Sequence, residues 1–222
     1  MSRYLFLTAE RSGNHLVLRS LSKSLNIPYG IFINYDQAME TVKDKDKYII
    51  SIHCSRQDIK SDKLINEKIY SIYRNPLDHA ISLLRFKKYN LDPNSKEFIK
   101  WVNAEYFLTQ RKIIQESSAS YLINYDILLD KDNNKNHIDS IKKEFNLNDF
   151  KLENISDTQL KIGFRNAPIG KSGRWREIIT YSTWSKLIDI IDEPLNVYWD
   201  NPDKGLTNED AYKNYIHDFK IG

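Results

Sequence analysis

Cysteine is almost absent from this chain. Cys54 stands alone among 222 residues, so no disulfide can close within the chain and no Cys-based zinc site can be built, a usage that suits a reducing compartment. Long apolar runs are missing as well. No stretch approaches the roughly 18 residues that a membrane span needs. The apolar start Tyr4-Leu5-Phe6-Leu7 is too short for a signal-peptide core, and Glu10 and Arg11 soon follow it. Nor does one sign of charge dominate: 33 Lys and Arg against 30 Asp and Glu leave +3, too even for a nucleic-acid binder driven by bulk charge. Any anion held here must meet positive charge that is local. No spacing of His with Asp or Glu suggests a metal site, and no internal repeat or long linker is visible. These absences point to a cytoplasmic protein without membrane or nucleic-acid partners, in which the glycosylation-type triplet Asn154-Ile155-Ser156 carries no weight.

What the chain does have is core material. Hydrophobic residues make up 41% and aromatics 12%, enough for one packed domain over residues 1–222. Tyr4–Leu7, Tyr48–Ile52, Ile69–Tyr73 and Tyr121–Tyr125 are short, nearly continuous apolar runs rich in β-branched and aromatic residues, as strands covered on both faces tend to be. A weaker strand is expected at Tyr29–Ile33. Between the strands lie stretches of helical spacing. Leu18, Leu21 and Leu25 share a face after Gly13, and Leu77, Ala80, Ile81 and Leu84 share one after Pro76. Phe98, Trp101, Val102, Glu105 and Leu108 open a helix expected to reach about Gln115. Ile138, Ile141 and Phe145 mark another, and Trp184, Leu187, Ile188 and Ile191 a last one. Residues 43–47 and 130–136 read as a solvated turn and a polar surface loop. The alternation predicts an α/β fold: a mostly parallel central sheet between two helical layers.

Two strand-to-helix turns could carry chemistry. Thr8-Ala9-Glu10-Arg11-Ser12-Gly13-Asn14-His15 follows the first strand. A loop there offers backbone N–H groups at a helix N-terminus, where an anion is favoured. Gly13 permits close approach, Arg11 adds full charge, and Ser12 and Asn14 add hydrogen-bonding side chains. It is neither GxxxxGK[ST], having one glycine and no Lys-Ser/Thr pair, nor GxGxxG. The second turn, Tyr73-Arg74-Asn75-Pro76-Leu77-Asp78, places a guanidinium fork at a strand end. Ser82 lies eight residues past Arg74, about 12 Å along a helix. Either segment alone is equally what an ordinary helix start looks like, with Ser12 or Asn14 as the cap of the first helix.

Together, in this order, the two turns resemble the sulfotransferases that use 3′-phosphoadenosine 5′-phosphosulfate (PAPS), of the cytosolic and bacterial type with a P-loop-like α/β fold. Two further segments agree: Tyr121 to Leu129 is similar to that family's strand ending in Tyr-Glu-Asp-Leu-Leu, and Gly170-Lys171-Ser172-Gly173-Arg174-Trp175-Arg176 to its late Gly-x-x-Gly-x-Trp-Lys/Arg segment. The resemblance covers about residues 4–180. It implies that Arg11, Ser12, Gly13, Asn14 and His15 cradle the 5′-phosphosulfate and that Arg74 with Ser82 binds the 3′-phosphate. Tyr125, Gly170, Lys171, Ser172 and Gly173 complete the donor site. It also singles out His53, at the end of the strand before the Arg-Asn-Pro strand, as catalytic base; an imidazole has the right pKa for proton abstraction near neutrality. A buried structural histidine is the plain alternative. His79, His137 and His217 receive no role.

Departures from the pattern are Leu16 where a tryptophan is usual, Pro168-Ile169 in place of Arg-Lys, and Ser51 where a lysine often stands. Lys171, ahead of Arg165 and Arg174, is the expected substitute cation. The implied activity is direct in-line sulfuryl transfer from PAPS, with PAP as product and no metal, to a hydroxyl or amine of a small soluble acceptor such as a natural product or sugar. The acceptor pocket is expected from about Ile27 to Asp46, Tyr89 to Glu105, and the tail after Pro194, which would act as a lid from about residue 195. Its candidate aromatics are Tyr29, Phe32, Tyr35, Tyr89, Trp199 and Tyr212. Arg176 and Thr180 keep only part of a dimer-forming segment, so monomer and homodimer both stay open. A non-catalytic PAP-binding module and a P-loop-like kinase are the competing readings.

Overall fold

The computed structural model describes residues 2–53, 64, 67–86, 90–102, 120–132, 134–153 and 174–187. Its elements run β1 (Ser2–Thr8), α1 (Asn14–Leu25), β2 (Tyr29–Phe32), α2 (Tyr35–Val42), β3 (Lys47–His53), β4 (Ile69–Tyr73), α3 (Pro76–Phe86), α4 (Lys96–Trp101), β5 (Tyr121–Asn124), α5 (Tyr125–Leu129) and α6 (Lys135–Phe145). A 3₁₀ turn (Arg174–Glu177) and a helix, α7, at 181–187 follow. The expected helical positions Glu105, Leu108, Gln115, Ile188 and Ile191 lie outside the described residues.

Among the described residues the five strands are all parallel, in the order β2-β3-β1-β4-β5. From β1 the chain passes to β2 and β3 on one flank, then crosses to β4 and β5 on the other. The crevice at the C-terminal ends of β1 and β4 is therefore a topological switch point, where open α/β sheets bind ligands. Both strand-to-helix turns singled out above leave the sheet there.

Strand periodicity explains the two helical layers. In β1, Phe6 faces the cluster formed with Leu16, Val17, Leu18 and Leu21 of α1 and Ile141 and Phe145 of α6. Its neighbours Leu5 and Leu7 face the other side, with Ala38 and Val42 of α2. Ile49 against Ile50 and Ile52 repeats the alternation in β3. The end of β4 packs Tyr73 with Leu77, Ile81 and Leu84 of α3, Phe98 of α4, Trp175, and Trp184 and Leu187 of α7. No described helix is long and apolar enough to cross a membrane.

Two local expectations, at Tyr125 and after Asp130, are corrected. The helix α2 falls in a stretch expected to line the acceptor pocket. Asn34 caps it by accepting the Gln37 N–H at 2.9 Å, and its buried Ala38 and Val42 cover the sheet. Tyr29, Phe32 and Tyr35 are accordingly packed against the core clusters, while Tyr89, Trp199, Tyr212 and the tail lie outside the described residues. Tyr125 leaves the β5 ladder and opens α5, because Asn124 accepts the N–H groups of Asp126 and Ile127 at 3.0 and 3.2 Å. The polar segment after Asp130 passes into α6 at Lys135.

Phe145 packs against Tyr4, Phe6, Tyr70 and Tyr121, with ring centroids 4.9–6.2 Å away. Phe145→Ala should cost about 3–5 kcal/mol in urea unfolding, and the more volume-conserving Phe145→Leu should cost clearly less.

Candidate functional site

The turn after β1 is built on a buried polar network. Ser51 on β3 and Thr8 at the end of β1 share a hydrogen bond of 2.9 Å, and Asn14 Nδ2 donates to Thr8 Oγ1 at 2.8 Å and to the Ala9 carbonyl at 3.1 Å. The Ser12 hydroxyl lies 2.6 Å from Asn14 Oδ1 and 2.9 Å from the Ala9 carbonyl. Thr8, Ser12, Asn14 and Ser51 are all buried. In this structure the Ser12 and Asn14 side chains thus turn inward and fold the loop back on itself. Neither caps α1: the N-cap is Gly13, with no side-chain cap hydrogen bond. Gly13 has φ 99°, and a β-carbon there would lie 2.2–2.7 Å from the Tyr125 ring, so this position needs glycine twice over.

Arg11 also sits in the left-handed region, at φ 64°, which is uncommon for a residue with a β-carbon. Its Nε donates to Ser82 Oγ at 3.3 Å, and its carbonyl accepts from Arg74 Nη1 at 3.1 Å. The guanidinium of Arg74 lies over the Tyr125 ring, 5.3 Å from its centroid. The two arginine-bearing turns therefore meet. Ser82, expected to work with Arg74, is joined here to Arg11. Tyr125 is buried between Gly13 and Arg74; burial, partly opposed by the Arg74 charge, raises its phenol above the usual pKa.

Three anchors that the sequence reading did not assign hold this arrangement. Asp126 accepts the backbone N–H of Asn75, and Asn75 Oδ1 caps α3 by accepting from Leu77 and Asp78 at 2.9 and 3.3 Å. Asp78, buried, accepts the Trp175 N–H at 3.0 Å. His79 contacts the carbonyl of Glu10 through Nε2. A signal for the first two was present in the acidic positions of the motifs themselves. Nothing in the sequence pointed to His79.

His53 stands beside Thr8 in the β1–β3 register, one strand from the Arg11 turn. Burial lowers its pKa, with the Glu10 charge pulling upward and His15 adding to the fall. Its Nδ1 is shut in without a hydrogen-bond partner among the described residues. His15 lies on the first turn of α1 with its side chain open to solvent on one side, and partial desolvation, with the Arg11 charge second, lowers its pKa. His137 accepts the Asn124 N–H at 3.0 Å and is likewise depressed by burial. Gly170, Lys171, Ser172, Gly173, Arg165 and the side chains of Arg174 and Arg176 lie outside the described residues. Thr180 donates its N–H to Asn94 at 2.7 Å. Among the described residues, no group of three or more His, Cys, Asp or Glu is placed to hold a metal ion.

No protein-family model matches the chain, and no curated protein matches it in sequence. Solved structures do. A mouse sulfotransferase complexed with PAP superposes with a TM-score of 0.58 over 88% of this chain and 85% of that one, at 15% identity. A shikimate kinase from Bacteroides thetaiotaomicron covers 66% of this chain and 99% of its own, with a TM-score of 0.43 and 13% identity. The first likeness is one of fold: the chain shares its α/β architecture with a sulfotransferase.

Gly13→Ala should destabilise the protein by about 2 kcal/mol or more, since left-handed strain adds to the collision with Tyr125; thermal unfolding measures it. For the three histidines the sign is set by linkage. Their folded-state pKa values lie below the ordinary 6.5, so the unfolded chain binds more protons just below that pH. Stability should hold above pH 6.5 and fall as pH drops through the lowered folded-state values. In His137→Gln, urea titrations between pH 7.5 and about 5 should show a shallower loss.

Proposed function

We propose that this chain transfers a sulfuryl group from PAPS to a hydroxyl or amine of a small soluble acceptor. The observation that carries the reading is the meeting of the Arg11 and Arg74 turns at the β1–β4 crevice, with His53 one strand away. The residues fit such a donor. The N-terminus of α1 has no side-chain cap, which leaves it suited to an anion, and the loop that leads into it carries Arg11 and receives Arg74 at the Arg11 carbonyl. The fold shared with a sulfotransferase supports the same reading.

In this mechanism the donor supplies an activated sulfuryl group. The loop N–H groups, Gly13 included, and Arg11 hold the 5′-phosphosulfate end; Ser12 and Asn14 act by shaping the loop, and His15 contacts the donor from its exposed place on α1. Arg11 stabilises the charge that grows on the bridging oxygen as the S–O bond breaks, and preorganised donors of this kind are usually the largest catalytic term. Arg74, over Tyr125, holds the 3′-phosphate end together with Ser82 and with Gly170, Lys171, Ser172 and Gly173. Burial lowers the pKa of His53, which favours the neutral imidazole that a base needs. It takes the acceptor's proton at Nε2 while the acceptor oxygen or nitrogen attacks sulfur, and the Glu10 charge favours the imidazolium that forms. Positioning both partners lowers the barrier further.

PAP at a hundredfold excess over its Kd should stabilise the protein by about 2.7 kcal/mol, read as a rise in melting temperature. Arg74→Ala should lose most of that rise. His53→Ala should keep it but lose turnover in an acceptor screen with labelled PAPS. PAP that leaves the melting temperature unmoved, while ATP with magnesium raises it, would overturn this reading in favour of a kinase. Binding of PAP with no turnover of any acceptor would favour a non-catalytic module.

A further inference from the structure

His79 is buried in the first turn of α3. Its Nε2 touches the carbonyl oxygen of Glu10, sixty-nine residues earlier. A carbonyl oxygen can only accept, so Nε2 must carry the hydrogen, and the ring is held in that tautomer. Ser82, three residues on and hence on the same face of α3, receives Nε of Arg11 at 3.3 Å. Arg74, at the mouth of the same turn, donates to the Arg11 carbonyl at 3.1 Å.

These contacts pin Arg11 from both sides. The Glu10 carbonyl belongs to the peptide plane before Arg11, and the Arg11 carbonyl to the plane after it. Fixing the two planes fixes φ and ψ of the residue between them. Arg11 has φ 64°, a conformation that costs a residue bearing a β-carbon of order 1–2 kcal/mol and persists only where the surroundings over-determine it. The Arg74 contact secures the later plane, and His79 secures the earlier one.

We infer that His79 is a positioning residue: by holding the Glu10 carbonyl it keeps Arg11 left-handed, with its guanidinium against Ser82 and the loop N–H groups turned to the bound anion. Its effect on ligand affinity rests on the donor reading proposed above; its effect on the loop does not.

The test compares His79→Leu, which keeps bulk but loses the donor, with His79→Gln, whose amide nitrogen can take the place of Nε2. Calorimetry with PAP should find binding about tenfold weaker in His79→Leu and largely restored in His79→Gln, with circular dichroism confirming that both variants fold. In ligand-free wild type, long-range ¹H–¹⁵N correlations should place the hydrogen on Nε2, and the Arg11 amide signal should shift far more in His79→Leu than in His79→Gln. A bare Nε2, an unmoved Arg11 amide in His79→Leu, or PAP binding by His79→Leu as tight as wild type would overturn the inference. If His79→Leu does not fold, the wild-type tautomer and the affinity of His79→Gln decide. If wild type itself fails to bind PAP, the donor reading falls, and the tautomer and Arg11 amide arms alone decide the role of His79.

Discussion

Arg11 is held in a backbone conformation that its own side chain resists, and the geometry of the candidate site follows from that constraint. The chain has seven glycines and uses one of them, Gly13, in the loop. Elsewhere among the described residues, left-handed positions are filled by Asn26 and Asn146, both at helix C-termini, where asparagine is well tolerated. Arginine has no such tolerance, so external contacts must hold it. They come from one place, the junction of β4 and α3, through Arg74, His79 and Ser82. Two cationic side chains are brought together at a helix N-terminus as a result. That concentration of positive charge is local, as the nearly balanced composition requires of any anion site here.

The junction is itself anchored by two buried carboxylates. Asp126 accepts the Asn75 N–H and Asp78 accepts the Trp175 N–H. Hydrogen bonds to a charged acceptor contribute roughly 1.5–3 kcal/mol each, and losing one partner leaves a buried group unsatisfied. Together with the Arg74 and His79 contacts to the β1 turn, these bonds join segments that are distant in sequence: the β1 turn, the Arg-Asn-Pro turn, the start of α5, and the 3₁₀ turn at Trp175. The motifs therefore belong to one connected structure. Two of their acidic residues serve its architecture, as acceptors for backbone N–H groups.

Much of this was legible in the chain. Strands β1, β3 and β4 were readable because a sheet covered on both faces demands unbroken apolar runs, and α1, α3 and α6 because Leu, Ile and Phe recur at helical spacing. The missed α2 left a weaker trace: Asn34 as cap, then Tyr35, Ala38, Met39 and Val42 at one-face spacing. Polar residues fill the rest of that segment, and its aromatics suit an acceptor pocket as well as they suit a core. Tyr125 is of a residue type that suits a strand, and only the Asn124 side chain, capping the next two N–H groups, turns the chain there.

Residue type and local order were enough to establish which elements form, that a glycine and an arginine stand at the first turn, and that a second arginine opens α3. Those properties depend on side-chain shape and on periodicities of two and 3.6, which neighbours in the chain already express. Partnership is different. That Ser82 meets Arg11, that Arg74 reaches the Arg11 carbonyl, and that His79 reaches Glu10 depend on the β2-β3-β1-β4-β5 order, which brings β1 beside β4. Hydrogen bonds act over about 3 Å, so which of several candidate donors makes one is settled only when the folded sheet sets the distances.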